Sequence, residues 1–394
     1  MRRAGVRPGF RGAAGSPNVS TARAAKHARG GVPAPPRSLP RQRTALGGRT
    51  GIRRGAAQGG LRRGRGCGRL GGMSRIAFGI AAAAAIAVAG CAEKKTEPAA
   101  GWETLPPDAG VRMYAYAADL AKISPRDAGT PGAGAASRFL AQEIRRIGVK
   151  PEADCWTEGT PTGRKTFCNV YATLPGTSGR LVVLGSHYDT KPGIPGFQGA
   201  NDGASSSAVL LGLLHHLAAA PVRPRDTILF AFFDGEEAAG AAYRDNDGLH
   251  GSKRLAATLA ERAGGDRPVA AIVADMVGDR DLALDIPRNV TPWLAQTALK
   301  ASLARRGETP PTSIAATFIL DDHVPFLDAG VSAIDLIDFE YGSAPGRHDY
   351  WHTPLDTLDK ISAESLHRTG ALLLAMLDRI DRDEEEVPEG LRAP

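Results

Sequence analysis

The chain has 394 residues, 42% of them hydrophobic, which is enough for one large or two small domains with a sizeable core. Its formal charge of +7 is segregated, because residues 1–90 hold 18 of the 49 basic residues and no acidic one, leaving 31 basic against 42 acidic residues in the remainder. A body of net negative charge argues against binding a phosphate backbone, and no nucleic-acid partner is expected.

In chain order, residues 1–72 are rich in Gly, Arg and Pro and show no apolar periodicity. They cannot bury a core, and read as a disordered or mis-assigned leader. Met73 opens a different pattern: Ser74 and Arg75, an apolar run over 76–89, then Val88-Ala89-Gly90-Cys91. A charged start, an apolar middle and a small-residue cleavage site predict a signal peptide over 73–91, with translation beginning at Met73. The apolar run is too short to span a bilayer comfortably. Its ending resembles the bacterial lipoprotein signal, in which the Cys becomes the lipidated first residue. That resemblance implies an exported protein held by Cys91 on the periplasmic face of a bacterial membrane. A generic secretory signal with an incidental Cys91 is the alternative. Residues 92–100 read as a linker.

The spacing of apolar residues predicts helices over 111–123 and 135–148, the second with Phe139, Leu140, Ile144 and Ile147 on one face. Residues 168–174 and 181–186 read as strands. Residues 203–219 form a strong helix pattern, with Ala208, Leu211, Leu214 and Leu217 recurring at helical spacing. The run over 227–233 is apolar without alternation, as in a strand of a parallel sheet buried on both faces. Residues 270–277 and 332–339 read as further strands, and 293–306 and 363–380 as helices. Strands alternating with helices predict a three-layer α/β/α sandwich around a mainly parallel mixed sheet, one domain over 101–381. An acidic, solvated tail follows over 382–394. With Cys67 in the leader and Cys91 at the lipid site, Cys155 and Cys168 remain as a disulfide pair for an exported domain.

Five motifs fall at strand ends or in the loops after them, where open parallel sheets form ligand sites. They are Gly185-Ser186-His187-Tyr188-Asp189, Gly199-Ala200-Asn201-Asp202-Gly203, Glu236-Glu237, Ala274-Asp275-Met276 and Tyr350-Trp351-His352-Thr353-Pro354. Each has a bland reading as a cap or a surface residue, and Glu236-Glu237 alone reads as a solvated acidic turn. Five such residues converging on sheet ends is the less ordinary outcome. Adjacent carboxylates can give one group to a metal and keep the other as a proton carrier. Imidazole with carboxylate and no thiolate suits catalytic zinc with an open position. No helix carries the paired histidines of a zincin. His215 and His216 lie on the 203–219 helix and read as packing or surface residues.

These residues resemble the zinc aminopeptidase and glutaminyl cyclase superfamily over roughly residues 125–376. The resemblance implies a metal shell of His187, Asp202, Glu237, Asp275 and His352, with Glu236 as acid/base and Asp189 orienting His187. Aminopeptidases place Gly-Leu-x-Gly-Ser almost directly after Glu-Glu, whereas here residues 238–247 precede Gly248-Leu249-His250-Gly251-Ser252. Glutaminyl cyclases of the animal type are similar to this chain there, with an inserted loop and then a run like residues 251–256. Asp321-Asp322-His323-Val324-Pro325-Phe326-Leu327 also resembles a cyclase loop, as does Trp351 directly before His352. One departure is that the inserted loop has no Trp, and Tyr243 is its nearest aromatic.

The cyclase resemblance implies a peptide or protein substrate with N-terminal Gln. It also implies one zinc on Asp202, Glu237 and His352, and Glu236 moving a proton from the attacking amine to departing ammonia. Asp275 with Asp322 or Asp321 would hold the proton network, His323 would lie nearby, and Trp351 and Tyr243 would wall the substrate. Trp351 reads alternatively as a core aromatic, and Asp321-Asp322-His323 as a cap on the turn into Pro325. The aminopeptidase resemblance implies a second zinc on His187, Asp275 and a bridging Asp202, with Glu236 as base toward water. A non-catalytic binding ectodomain is the remote third reading, opposed by the full ligand set. Peptide N-termini are the expected partners, a lipid anchor the only membrane contact, and a monomer the expected state.

Overall fold

The computed structural model describes residues 101–241, 243–261, 268–383 and 387–391. The leader, the signal segment with Cys91, the linker and part of the tail lie outside the described residues.

The described strands are β1 Pro151–Thr160, β2 Gly163–Leu174, β3 Leu181–His187, β4 Thr227–Phe233, β5 Pro268–Asp275, β6 Leu284–Ile286, β7 Thr312–Ile314 and β8 Ala333–Ile337. They form one mixed sheet in the order β1-β2-β4-β3-β5-β8-β6-β7. Its centre, β4-β3-β5-β8, is parallel throughout. The hairpin β1-β2 joins β4 antiparallel, and β6 joins β8 antiparallel.

The helices are α1 Ala109–Ala121, α2 Pro131–Ile147, α3 Ala204–Ala219, α4 His250–Ala260, α5 Pro292–Ala304, α6 Val324–Asp328 and α7 Ala363–Asp381. One sheet face packs Val182, Leu184, Phe230 and Ile272 against Met113 of α1, Leu210 and Leu214 of α3 and Leu373 of α7. The opposite face packs Val183, Ala231, Phe233 and Ala271 against Leu255 and Leu259 of α4 and Phe326 of α6. The expected three-layer α/β/α arrangement is therefore the one observed. Cover on both faces explains why β3, β4 and β5 are apolar without alternation.

Several elements escape the periodicity. β1 is an edge strand whose residues are exposed or half-buried, so its Glu, Asp and Thr content hides it. α4 begins at His250 after Leu249 takes φ 55°, inside a stretch that reads as a motif. β6, β7 and α6 are too short to show a period. α2 starts earlier than expected, because Pro131 at its first turn and the Thr130 side chain, accepting from Ala133 N at 3.4 Å, define its start. Cys155 and Cys168 face each other across β1-β2 and are disulfide-bonded.

The hairpin is tied to the middle of the sheet through Cys168. Its N–H donates to Asp234 Oδ2 at 2.8 Å, and its carbonyl accepts from Tyr188 Oη at 2.7 Å. Asp234 and Tyr188 belong to the loops leaving β4 and β3. A second tie is Arg126, which is fully buried. Its guanidinium donates to the carbonyls of Tyr188 at 2.8 Å, Gln198 at 2.6 Å and Gly199 at 2.9 Å. It clamps the turn after β3 to the loop that enters α3. Burial pushes this guanidinium down to about 10, against the pull of Asp356, Asp202, Asp189 and Asp127. A buried carbonyl left without its donor costs about 1–3 kcal/mol. Arg126→Met should therefore lose about 3 kcal/mol or more of unfolding free energy in urea. A variant as stable as the parent would remove Arg126 from this role.

Candidate metal centre

The parallel order β4-β3-β5 brings three strand ends side by side. β3 ends on His187, β5 ends on Asp275, and β4 runs into Asp234-Gly235-Glu236-Glu237. Met276, at φ 48°, turns the chain away directly after Asp275. Asp202 comes from the loop entering α3, one residue before Gly203. Gly203 has φ 78°, and a Cβ there would meet His187 Cε1 at 2.7 Å, so the approach of this loop to His187 requires glycine. His352 arrives from the loop before α7, itself at φ 52°.

The side chains converge as two sets that share Asp202. His187 Nε2 lies 3.2 Å from Asp202 Oδ1 and 3.1 Å from Asp275 Oδ1. His352 Nε2 lies 3.3 Å from Asp202 Oδ2 and 3.0 Å from Glu237 Oε1. Within each set the donor atoms lie within 4.8 Å of one another. One imidazole N–H can serve one acceptor, yet each Nε2 faces two carboxylates. Glu237 Oε2 is buried without a hydrogen bond, 3.4 Å from Lys191 Nζ. A cation among these atoms answers both features, and nitrogen with oxygen donors and no thiolate fits zinc. Both expected ligand groups are thus assembled: Asp202, Glu237 and His352 in one, His187, Asp275 and the shared Asp202 in the other.

The electrostatics are those of carboxylates crowded out of water. Burial opposes ionisation of Asp202, but hydrogen bonds from His187 and His352 outweigh it and hold its carboxyl well below the usual range. Burial likewise opposes charge on His352, while Asp202 and Glu237 hold it up at about 10. Glu236 is pushed well above the ordinary carboxyl range by burial and then by the charge of Glu237.

Other acids hold the backbone that presents the ligands. Asp189 accepts from the N–H groups of Glu236 at 3.1 Å and Glu237 at 3.3 Å, and its Oδ1 lies 3.5 Å from His187 Nδ1. It therefore joins the glutamate pair to β3 as well as facing His187. Asp356 accepts from the N–H groups of Asn201 at 2.8 Å and Asp202 at 3.1 Å, and from Tyr341 Oη at 2.6 Å. Asp356 stands four residues after His352, where the motif continues as Thr353-Pro354-Leu355-Asp356, and that continuation was its signal in the sequence. Arg126 and Lys191 carry no comparable signal.

Asp202, Glu237, Asp275 and His352 open into a cleft of about 740 Å³, lined also by Glu236, Tyr243, Asp321 and Trp351. Trp351 stacks on His352 with ring centroids 4.2 Å apart and leans on Phe339 at 5.3 Å. The Tyr243 hydroxyl donates to Glu236 Oε1. Asp322 and His323, which follow the cleft-lining Asp321, are fully buried and do not line the cleft themselves. They immediately precede α6, whose Phe326 packs against the sheet. His323 Nε2 lies 3.2 Å from Asn289 Nδ2, and its Nδ1 lies 4.0 Å from Asp335. His216 is far from the donors, with Nε2 2.8 Å from the Trp102 carbonyl.

Residues 169–377 match the family model described as Peptidase family M28. Glutaminyl-peptide cyclotransferase of Drosophila melanogaster is 30% identical over 264 residues, covering 61% of this chain and 72% of that protein. A solved glutaminyl cyclase of an Acidobacteriales bacterium is 33% identical with a TM-score of 0.65, covering 73% of this chain and 99% of that one. A Zn-dependent exopeptidase of Parabacteroides distasonis, 21% identical with a TM-score of 0.59 over 68% of this chain and 97% of that one, is similar in fold. The family match takes in all five donor residues and more than half of the sequence, and the chain belongs to Peptidase family M28.

Proposed function

We propose that this chain is a zinc-dependent glutaminyl-peptide cyclotransferase, converting N-terminal Gln of peptides or proteins to pyroglutamate with release of ammonia. The observation that carries this reading is one cleft in which Glu236 and Trp351 stand beside the donor set Asp202, Glu237 and His352. An N-terminal Gln carries its nucleophile and its electrophile in one residue, so a single cleft must serve both. The relatives from Drosophila melanogaster and the Acidobacteriales bacterium, both named for this activity, support it.

Asp202, Glu237 and His352 would hold the zinc. When bound, zinc supplies Lewis-acid polarisation of the side-chain amide carbonyl. Trp351 offers an apolar face for the Gln methylenes. Holding amine and amide in one cleft replaces a bimolecular encounter by an oriented one. Glu236 takes the amine proton and returns it to the departing nitrogen. Asp275 and Asp321 border the same cleft and would hold the proton network, with Asp322 and His323 behind them.

A second reading rests on the second donor set. His187, Asp275 and the shared Asp202 would hold another zinc, as in a two-zinc aminopeptidase, with Glu236 as base toward water. A binding ectodomain without catalysis is disfavoured because both donor sets are complete. We also infer export and a lipid anchor on Cys91 at the periplasmic face of a bacterial membrane, with the chain acting as a monomer. The segment 73–91 and the Cys155–Cys168 disulfide support the export, since disulfides persist in oxidising compartments. Among the described residues, no helix is long and apolar enough to cross a membrane.

Gln-initiated peptides should lose ammonia on incubation with the protein, with about one equivalent of bound zinc by elemental analysis. Release of free Leu from Leu-initiated peptides, with two zinc equivalents and no ammonia loss, would select the peptidase. Glu236→Gln should lower kcat by about a hundredfold or more, the scale of a lost proton carrier, while keeping its zinc; retained turnover would free Glu236 of this part. Mass spectrometry of the membrane fraction should find a lipidated N-terminus at Cys91, and an unmodified start upstream of Met73 would sink the anchor.

A further inference from the structure

Within the insertion over 238–247, described residues bond to one another. Asp247 accepts from Ala239 N at 2.6 Å and Gly240 N at 3.0 Å. Arg244 and Asp247 exchange backbone hydrogen bonds at 3.2 and 3.0 Å. At its exit, Leu249 N donates to the Glu236 carbonyl and His250 N to the Gly235 carbonyl, each at 2.9 Å. The loop therefore leaves and re-enters on the backbone of Glu236, as a compact Ω-type loop does.

Tyr243 of this loop turns toward the cleft. Its ring packs where the chain returns, so that a Cβ on Gly248, which has φ 94°, would meet Tyr243 Cδ1 at 2.3 Å. The same ring lines the cleft, and its hydroxyl donates to Glu236 Oε1. Burial and then the neighbouring Glu236 carboxylate push the phenol well up, so it stays a donor.

We propose that Tyr243 is a positioning residue, whose hydroxyl holds one oxygen of Glu236 and leaves the other to carry the proton. This rests on the cyclase reading above. In that reaction the substrate's amine nitrogen bonds to the side-chain amide carbon and gives one proton to Glu236. Glu236 returns this proton to the amide nitrogen as its bond to that carbon breaks and ammonia leaves. The same carboxylate oxygen takes and gives, so it must face both nitrogens in one orientation. A carboxylate free to rotate would spend part of its time misaligned, and proton transfer in a site tolerates little misplacement. A hydroxyl locking the far oxygen removes that freedom. The insertion that separates this chain from the short Glu-Glu-to-Gly-Ser connection is what delivers the hydroxyl.

Tyr243→Phe keeps the ring and deletes the hydrogen bond. It should lower kcat for Gln-peptide cyclisation about tenfold, the scale of one charge-assisted hydrogen bond. KM, bound zinc and the thermal midpoint should remain those of the parent. Tyr243→Ala, which also removes the wall, should raise KM in addition. A Phe variant with kcat within about twofold of the parent would overturn the proposal, as would one whose zinc content or thermal midpoint falls together with kcat. If the parent releases Leu and no ammonia, the cyclase reading fails by itself. The Phe variant is then followed on Leu release, where an unchanged kcat overturns the role of Tyr243 independently.

Discussion

Asp202 gives one carboxylate oxygen to the buried His187 imidazole and the other to the half-buried His352 imidazole, and the geometry of the centre turns on keeping that carboxylate ionised away from water. Desolvation alone would neutralise it. His187 and His352 oppose this directly, and Asp356 fixes the backbone N–H of Asp202 so that the side chain cannot turn away. Arg126 adds a positive charge and clamps the carbonyls just upstream, at Gln198 and Gly199. The cost of gathering Asp202, Glu237 and Asp275 is therefore shared by His352 in the cleft and by His187, Asp356 and Arg126, which do not line it. A bound cation would complete the balance, because carboxylates so close and so dry are tolerated when paired or metal-bound.

The sheet makes this concentration possible. Parallel strands end together, and β4, β3 and β5 are neighbours, so three segments bearing candidate metal donors emerge side by side. Apolar cover on both faces keeps those ends rigid. The hairpin β1-β2 adds a lateral brace through Cys168, whose backbone bonds to Tyr188 and Asp234 hold the residues just beside His187 and the glutamate pair. The disulfide thus sits in the same connected network as the metal donors, although it touches none of them.

Beneath the cleft lies a second acidic layer. Asp335 on β8 is fully buried with both oxygens lacking hydrogen bonds, and burial together with Asp321, Asp275 and Asp322 pushes it well above the usual carboxyl range. His323 faces it from the start of α6, and burial pushes that imidazole down to about 4. Asn289 links it to the cleft wall, since its side chain bonds both His323 and the backbone of Ile319.

Much of the centre was legible in the chain because His187, Asp275 and the glutamate pair stand at strand ends or shortly after them, and strand ends follow from apolar runs. The runs over 227–233 and 181–186 placed Glu236-Glu237 and His187 within a residue or two of where they stand. The family pattern supplied Asp202, Asp275 and His352 as ligands. Tertiary packing decided the rest. β1 is an edge strand of mixed polarity, and α6 and β6 are too short to show a period, so their existence depends on partners distant in sequence. His323 and Trp351 look alike as polar or aromatic residues beside motifs, yet the turn into α6 buries the first and the loop before α7 exposes the second. Arg126 reads as one more basic residue until its three carbonyl acceptors, more than sixty positions away, are brought around it. Residue type and spacing determine which groups can bind a metal or carry a proton. Which of them share a cleft, and which support it from behind, depends on long-range contacts that no local pattern encodes.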